Sequence, residues 1–247
     1  MMPTLAGQTV LITGGARRLG AAMAQALHAV GANLVIHHLT STEEAGALVE
    51  AFNKTRAGSA SLVQADLREI AQLPGLVESA VRHFGRLDIL INSASTFYPT
   101  PIGEISLGQF EDLIGTNLRA PLFLAQAAAP ELRRRRGLIL NMVDIHGMKP
   151  LKNYPAYSSA KAALIMLTKA LARELAPEVR VNGIAPGPVM WPADVDAAMQ
   201  AQIIDKTLLK RAGEPQDIGK AALYFATLAP YVTGQILAVD GGRSQAG

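Results

Sequence analysis

Thr9-Val-Leu-Ile-Thr-Gly-Gly-Ala-Arg-Arg-Leu-Gly20 decides the fold of this chain. Its first half, Thr9–Thr13, is a short apolar run of strand-forming residues. Its second half is a glycine-rich turn leading into Leu19–Val30, whose apolar residues recur at helical spacing. Strand, turn and helix start in that order suit a nucleotide. Glycines let the main chain pass close to a pyrophosphate, and the helix N-terminus offers it free amide donors. A plain tight connection between strand and helix would use the same residue types, so the rest of the chain must decide.

Outward from that stretch the alternation continues. Strands are predicted at Asn33–His38, Ala60–Gln64, Leu87–Asn92, Leu138–Val143, Val179–Ala185 and Ile236–Asp240. Helices are predicted between them at Glu43–Thr55, Glu69–Phe84, Leu107–Ala129, Pro155–Ala176 and Pro215–Leu228. Strand and helix in alternation build βαβ units, hence a parallel sheet covered by helices on both faces. Several strands are continuous apolar runs, as expected when both faces are buried. No linker or repeat divides residues 1–247, which read as one doubly wound α/β domain of about seven parallel strands. Residues 187–210 interrupt the alternation and are expected to form a substrate lid.

Composition narrows the function. Hydrophobic residues make up 49% and charged residues 17% of the 247, enough for a large core. Net charge is +3, and Arg133–Arg136 before an apolar run read as a solvated helix end, not as a nucleic-acid surface. Cysteine is absent, which removes disulfide and thiolate chemistry. No apolar stretch reaches the ~18 residues of a membrane span, and Met1–Gly7 lacks the pattern of a signal peptide. The expected setting is the cytoplasm, with no nucleic-acid or membrane partner. His37-His38 lacks the further ligands that a metal site would need.

Tyr157-Ser-Ser-Ala-Lys161 supplies the chemistry. On a helix these two residues lie one turn apart on one face. An ammonium beside a phenol stabilises phenolate and is expected to make a group of ordinary pKa ~10 a usable acid or base near neutrality. The spacing alone is common, and an exposed helix could carry it by chance.

Taken together, Thr13-Gly14, Gly20 and Tyr157-x-x-x-Lys161 resemble the short-chain dehydrogenase/reductase family, as do Asp66, Asn92-Ser-Ala94, Asn117, Pro186-Gly187, Thr233-Gly234 and Val239-Asp-Gly-Gly242. The resemblance runs the length of the chain. Three departures narrow it. Arg18 stands where the family has its middle glycine. Asp144 occupies the position, 13 residues before Tyr157, of the usual catalytic serine. Ser95-Thr-Phe97-Tyr-Pro-Thr-Pro101 follows Asn92-Ser-Ala. These features resemble the pteridine reductase branch.

That resemblance implies a hydride transfer from NADPH to a pterin or folate. Asp144, Tyr157, Lys161 and Asn117 are the implied catalytic set: Tyr157 protonates ring nitrogen with help from Asp144, Lys161 binds the nicotinamide ribose, and Asn117 organises a water that restores the proton. The implied cofactor cradle is Gly14, Arg17, Arg18 and Leu19 at the first turn, Asp66 and Leu67 at the adenine, Asn92, Ser93, Ala94 and Ser95 after the fourth strand, and Pro186, Gly187 and Val189. At the end of the second strand no acid precedes Glu43, so His37, His38, Thr40 and Ser41, with charge from Arg17, are expected to accommodate a 2′-phosphate. Phe97 would stack on a flat aromatic substrate while Ser95 and Arg18 bond its polar edge, with Met190 and Trp191 capping it. Ordinary core packing is the plainer expectation for Phe97, and a turn or helix cap for Asp144. A homotetramer is the implied assembly, packed through Leu107–Ala129 and Pro155–Ala176.

Other functions remain open to this sequence. A carbonyl reductase acting on a 3-oxoacyl thioester or small ketone would use the same fold, although an anionic Asp144 would repel a developing alkoxide. A nucleotide-sensing module would bind NADPH without turnover, and a structural oligomer would not bind it.

Overall fold

The computed structural model describes residues 4–191 and 195–246. Seven strands form one parallel sheet: β1 (Thr9–Ile12), β2 (Asn33–His38), β3 (Ala60–Gln64), β4 (Ile89–Asn92), β5 (Leu138–Met142), β6 (Arg180–Pro186) and β7 (Ile236–Val239). Their spatial order is β3-β2-β1-β4-β5-β6-β7. The order reverses between β1 and β4, where Val10, Leu11 and Ile12 pair with Ile89, Leu90 and Ile91. In open α/β sheets ligands bind beyond the carboxyl ends of strands at such a reversal.

Successive residues of a strand point to opposite faces, and in β1, β4 and β5 both faces are buried throughout. Val10, Ile12, Leu34 and Ile36 join one core with Met23 and Leu27 of α1 (Arg18–Ala29), Ala45 and Phe52 of α2 (Thr42–Thr55), and Ile218 and Phe225 of α8 (Pro215–Thr227). Leu11, Val35, Leu90 and Ile139 join the other with Leu73 and Leu76 of α3 (Leu73–Phe84), Leu124 and Leu132 of α5 (Ala120–Arg135), and Ala172 of α6 (Pro155–Glu174). One sheet thus separates two helical layers, as the apolar strand runs imply.

The long helix expected at Leu107–Ala129 is more than one regular piece. Helix α4 (Leu107–Ile114) opens with a reciprocal Ser106–Gln109 capping box. It passes through a π turn, Gly115–Arg119, into α5, which continues to Arg135. Arg136 then takes a left-handed C-cap conformation at φ 52°, so the arginine run is a helix end. The stretch read as a lid contains a further helix, α7 (Ala197–Asp205), whose N-cap Asp196 accepts from the Met199 amide at 2.8 Å. Residues 192–194 of that stretch lie outside the described residues. Among the described residues no helix is long and apolar enough to cross a membrane.

Candidate active site

The carboxyl ends of β1 and β4 are tied by one hydroxyl. Thr13 Oγ1 accepts from the Ser93 and Ala94 amides at 3.0 and 3.1 Å. Gly14 has φ 60°, and a Cβ there would stand 2.9 Å from the Ala94 Cα, so only glycine fits the crossing. The turn ends at Arg18, a non-glycine residue with φ 53°. Helix α1 starts there with no capping side chain and no acidic residue in its first turn. Exposed Arg17 and Arg18 flank that end. Uncapped amides beside two guanidinium groups suit the phosphates of a dinucleotide.

The second-strand residues divide. His37 is not free to take a phosphate oxygen, contrary to the sequence expectation. The Gly14 amide donates to its Nδ1 at 3.2 Å, which places the proton on Nε2, and Nε2 bonds the Ala65 carbonyl at 3.0 Å. Burial holds this imidazole down at about 4, so it stays neutral and works as a strap beneath the turn. His38 is also buried, and neither ring nitrogen has a partner among the described residues. Thr40 is exposed and Ser41 half-buried at the start of α2, while Arg17 reaches Glu44 at 3.3 Å. Leu67 packs in the core, and Asp66 beside it is held by Arg68 Nη2 at 2.7 Å.

On the other side of the reversal, β5 delivers Asp144 and α6 delivers Tyr157 and Lys161. Pro155 begins α6, a position where its missing N–H costs nothing. The Tyr157 hydroxyl donates to Asp144 Oδ2 at 2.7 Å, while Asp144 Oδ1 accepts from the His146 amide at 2.7 Å. Gly147 lets this loop run against α6: a Cβ there would meet the Lys161 carbonyl carbon at 2.7 Å. Lys161 is 2% exposed and donates to the Met142 carbonyl at 2.9 Å.

The electrostatics reverse the expectation for Tyr157. Burial, then the charge of Asp144 and the bond to it, push the phenol well above its ordinary range, with Ser95 acting the other way. Burial brings Lys161 down to about 8, the Asp144 charge opposing. Lys161 Nζ lies 5.7 Å from the Tyr157 ring centroid, and the nearer carboxylate outweighs it. The resting tyrosine is therefore a protonated donor.

Phe97 is 40% exposed, so it is not a core residue. Its ring stacks on Tyr154 at 4.6 Å and meets Tyr157 edge-to-face at 4.8 Å. Tyr154 was not expected at the site; it stands three residues before Tyr157 as the N-cap residue of α6. Ser95 donates to Asn117 Oδ1 at 2.7 Å. Asn117, in the π turn, donates to the Thr96 and Leu113 carbonyls, both at 3.0 Å. Both amide protons are thereby used to tie the Ser95–Phe97 loop to α4. Pro186 ends β6 and Gly187 follows it, Val189 is buried, and Met190 and Trp191 are half-buried beyond it.

The chain matches the model of the enoyl-(acyl carrier protein) reductase family over residues 14–244. It is 36% identical to pteridine reductase 1 of Leishmania tarentolae over 95% of each chain. An uncharacterised oxidoreductase of Methylorubrum extorquens is 34% identical over 98% of this chain and 99% of its own. A 3beta-hydroxysteroid dehydrogenase 1 of Eggerthella lenta is 34% identical, with 99% and 96% covered. With its parallel sheet, glycine-rich turn and Asp144–Tyr157–Lys161 set, the chain belongs to the short-chain dehydrogenase/reductase family, with likeness to its pteridine reductase branch, and is an oxidoreductase that works with a nicotinamide cofactor.

Proposed function

We propose that this protein is an NADPH-dependent pteridine reductase, converting a dihydropterin or dihydrofolate to its tetrahydro form. The observation that carries the reading is the 2.7 Å bond from Tyr157 to a carboxylate, Asp144, at a position that a carbonyl reductase gives to a neutral hydroxyl. A carboxylate there opposes a developing alkoxide but suits a ring nitrogen, which must finish the reaction protonated. The partly exposed Phe97 ring beside Tyr157 adds a surface for a flat heterocycle.

A nicotinamide held here would supply hydride for a carbon of the ring C=N bond. Tyr157 gives its hydroxyl proton to the adjoining nitrogen, and Asp144 steadies the hydroxyl and relays the replacement proton. Lys161 holds the nicotinamide ribose, and its charge offsets the phenolate left after transfer. Ser95 and Arg18 bond the amino and carbonyl edge of the substrate, Arg18 also facing the phosphates. Asn117 keeps the Ser95–Phe97 loop in place. Thr40, Ser41 and Arg17 accommodate the 2′-phosphate, residues 187–191 and 195–210 on either side of the undescribed 192–194 close over the substrate, and four copies assemble through α4–α6, where Leu107 and Met166 stand exposed at 76% and 63%. Sizing in solution tests the assembly, a 26.1 kDa species being the contrary result.

The test of function is NADPH oxidation with dihydrobiopterin, dihydrofolate and an acetoacetyl thioester in parallel. Turnover of a pterin or folate that vanishes in Tyr157→Phe is expected. Turnover of the thioester alone would favour the second reading, a carbonyl reductase, which the 34% identity to a hydroxysteroid dehydrogenase also supports.

A further inference from the structure

A chain of contacts runs along the rim from Asp66 to Phe97 and serves no step above. Arg68 holds the Asp66 carboxylate with Nη2 at 2.7 Å and Nε at 3.1 Å, and the Arg68 amide adds a bond at 2.9 Å. The same guanidinium reaches Asp112 of α4 through Nη1 at 3.3 Å. Asp112 accepts from the Tyr98 hydroxyl at 2.9 Å through its other oxygen. Burial, and after it the bond to Asp112, raise that phenol to about 12. Tyr98 adjoins Phe97. The stem of Arg68 lies beside Gly115, where the π turn begins.

One guanidinium is thus shared unequally between two carboxylates, closely with Asp66 and at greater length with Asp112. We infer that Arg68 and Asp112 are positioning residues that transmit occupation of the cofactor's adenine end to the Phe97–Tyr98 loop. An adenine amine bonded to Asp66 competes for the lone pairs that Arg68 now holds. The guanidinium then turns toward Asp112, Asp112 settles on Tyr98, and the aromatic loop stiffens before substrate arrives. By linkage, a substrate stacked on Phe97 strengthens binding at the adenine end by the same factor. The inference rests on the roles given above to Asp66 and Phe97.

ADP and adenosine 2′,5′-bisphosphate carry the adenine but no nicotinamide, so they reach Asp66 without touching the loop. Hydrogen exchange of residues 97–106 is followed in the whole protein with either probe at saturation and no pterin present. Exchange is expected to slow roughly fivefold in the native protein. The slowing disappears in Arg68→Gln, Asp112→Asn and Tyr98→Phe, while calorimetry still registers the probe, and it returns in Asp112→Glu. A merely structural role would change the exchange rate but not its response to the probe. Equal responses in native and variant proteins overturn the relay, as do a bound probe with no response in the native protein and failure of both probes to bind it. Relayed protection without pterin turnover would sink the pteridine reading and leave the relay standing; pterin turnover without relayed protection would do the reverse.

Discussion

Arg18 holds a left-handed conformation that costs a non-glycine residue about 1 kcal/mol. Strain of this kind persists at sites where a side chain is needed. Arg18→Gly is therefore expected to raise stability by on the order of 0.5 kcal/mol in denaturant unfolding. The same change should lower kcat/KM for a pterin by roughly tenfold through loss of a charged hydrogen bond. His37 yields a prediction of opposite tone. In the folded protein its imidazole binds protons at about 4 against 6.5 when unfolded, so the unfolded chain takes up more protons in between. Stability is complete above pH 6.5 and falls toward pH 4, by about 3 kcal/mol in all. Acid titrations monitored by circular dichroism should show this loss in the native protein and a flatter profile in His37→Gln. Neither His37's burial nor its bonds were legible in sequence, because its partners Gly14 and Ala65 are 23 and 28 residues away. Asp144 and Tyr157 were legible as a pair only through the family resemblance, in which the position 13 residues before the tyrosine belongs to the site. The direction of the phenol's shift was not, because it depends on burial and on which charge stands nearer.

Helix α6 presents Tyr157, Lys161 and Thr168 along one buried face. Asn92 donates to Asn141 Oδ1 at 2.8 Å, Asn141 donates to Thr168 Oγ1 at 2.9 Å, and Thr168 donates to the Leu164 carbonyl at 2.8 Å. This ladder crosses from β4 through β5 to α6 and sets the height of the helix over Asp144. Thr168→Val leaves an Asn141 proton unsatisfied in the core, at a cost of about 2 kcal/mol. A drop in kcat with little change in cofactor KM should accompany it, and Thr168→Ser should restore both. Steady-state kinetics beside thermal unfolding decides this. Most helices could be placed from apolar period alone, whereas the π turn at Gly115–Arg119 could not. A π turn inserts one extra residue into the period, and the eight residues of α4 before it are too few for the slip to show, so the periodicity reads as one long helix. Helix α7 escaped notice for another reason: none of its residues is buried, so it has no apolar stripe to read.

The layered plan was the most legible property of the molecule, since alternating strand and helix patterns leave few arrangements of a parallel sheet. Which helix lies on which face needed the structure. The sheet separates Leu27 of α1 from Leu124 of α5, each at 0% exposure in its own core. Leu27→Ala and Leu124→Ala should each cost about 3 kcal/mol, and the double variant their sum to within about 0.5 kcal/mol. Urea unfolding of the three variants and the native protein measures the interaction energy, and a larger discrepancy would mean that strain crosses the sheet. Additivity of that kind has a hereditary side. Losses and repairs accumulated in one layer would neither excuse nor aggravate those in the other. Two lineages of substitution could then drift side by side, and only the strands, whose alternate residues serve both, would have to answer to each.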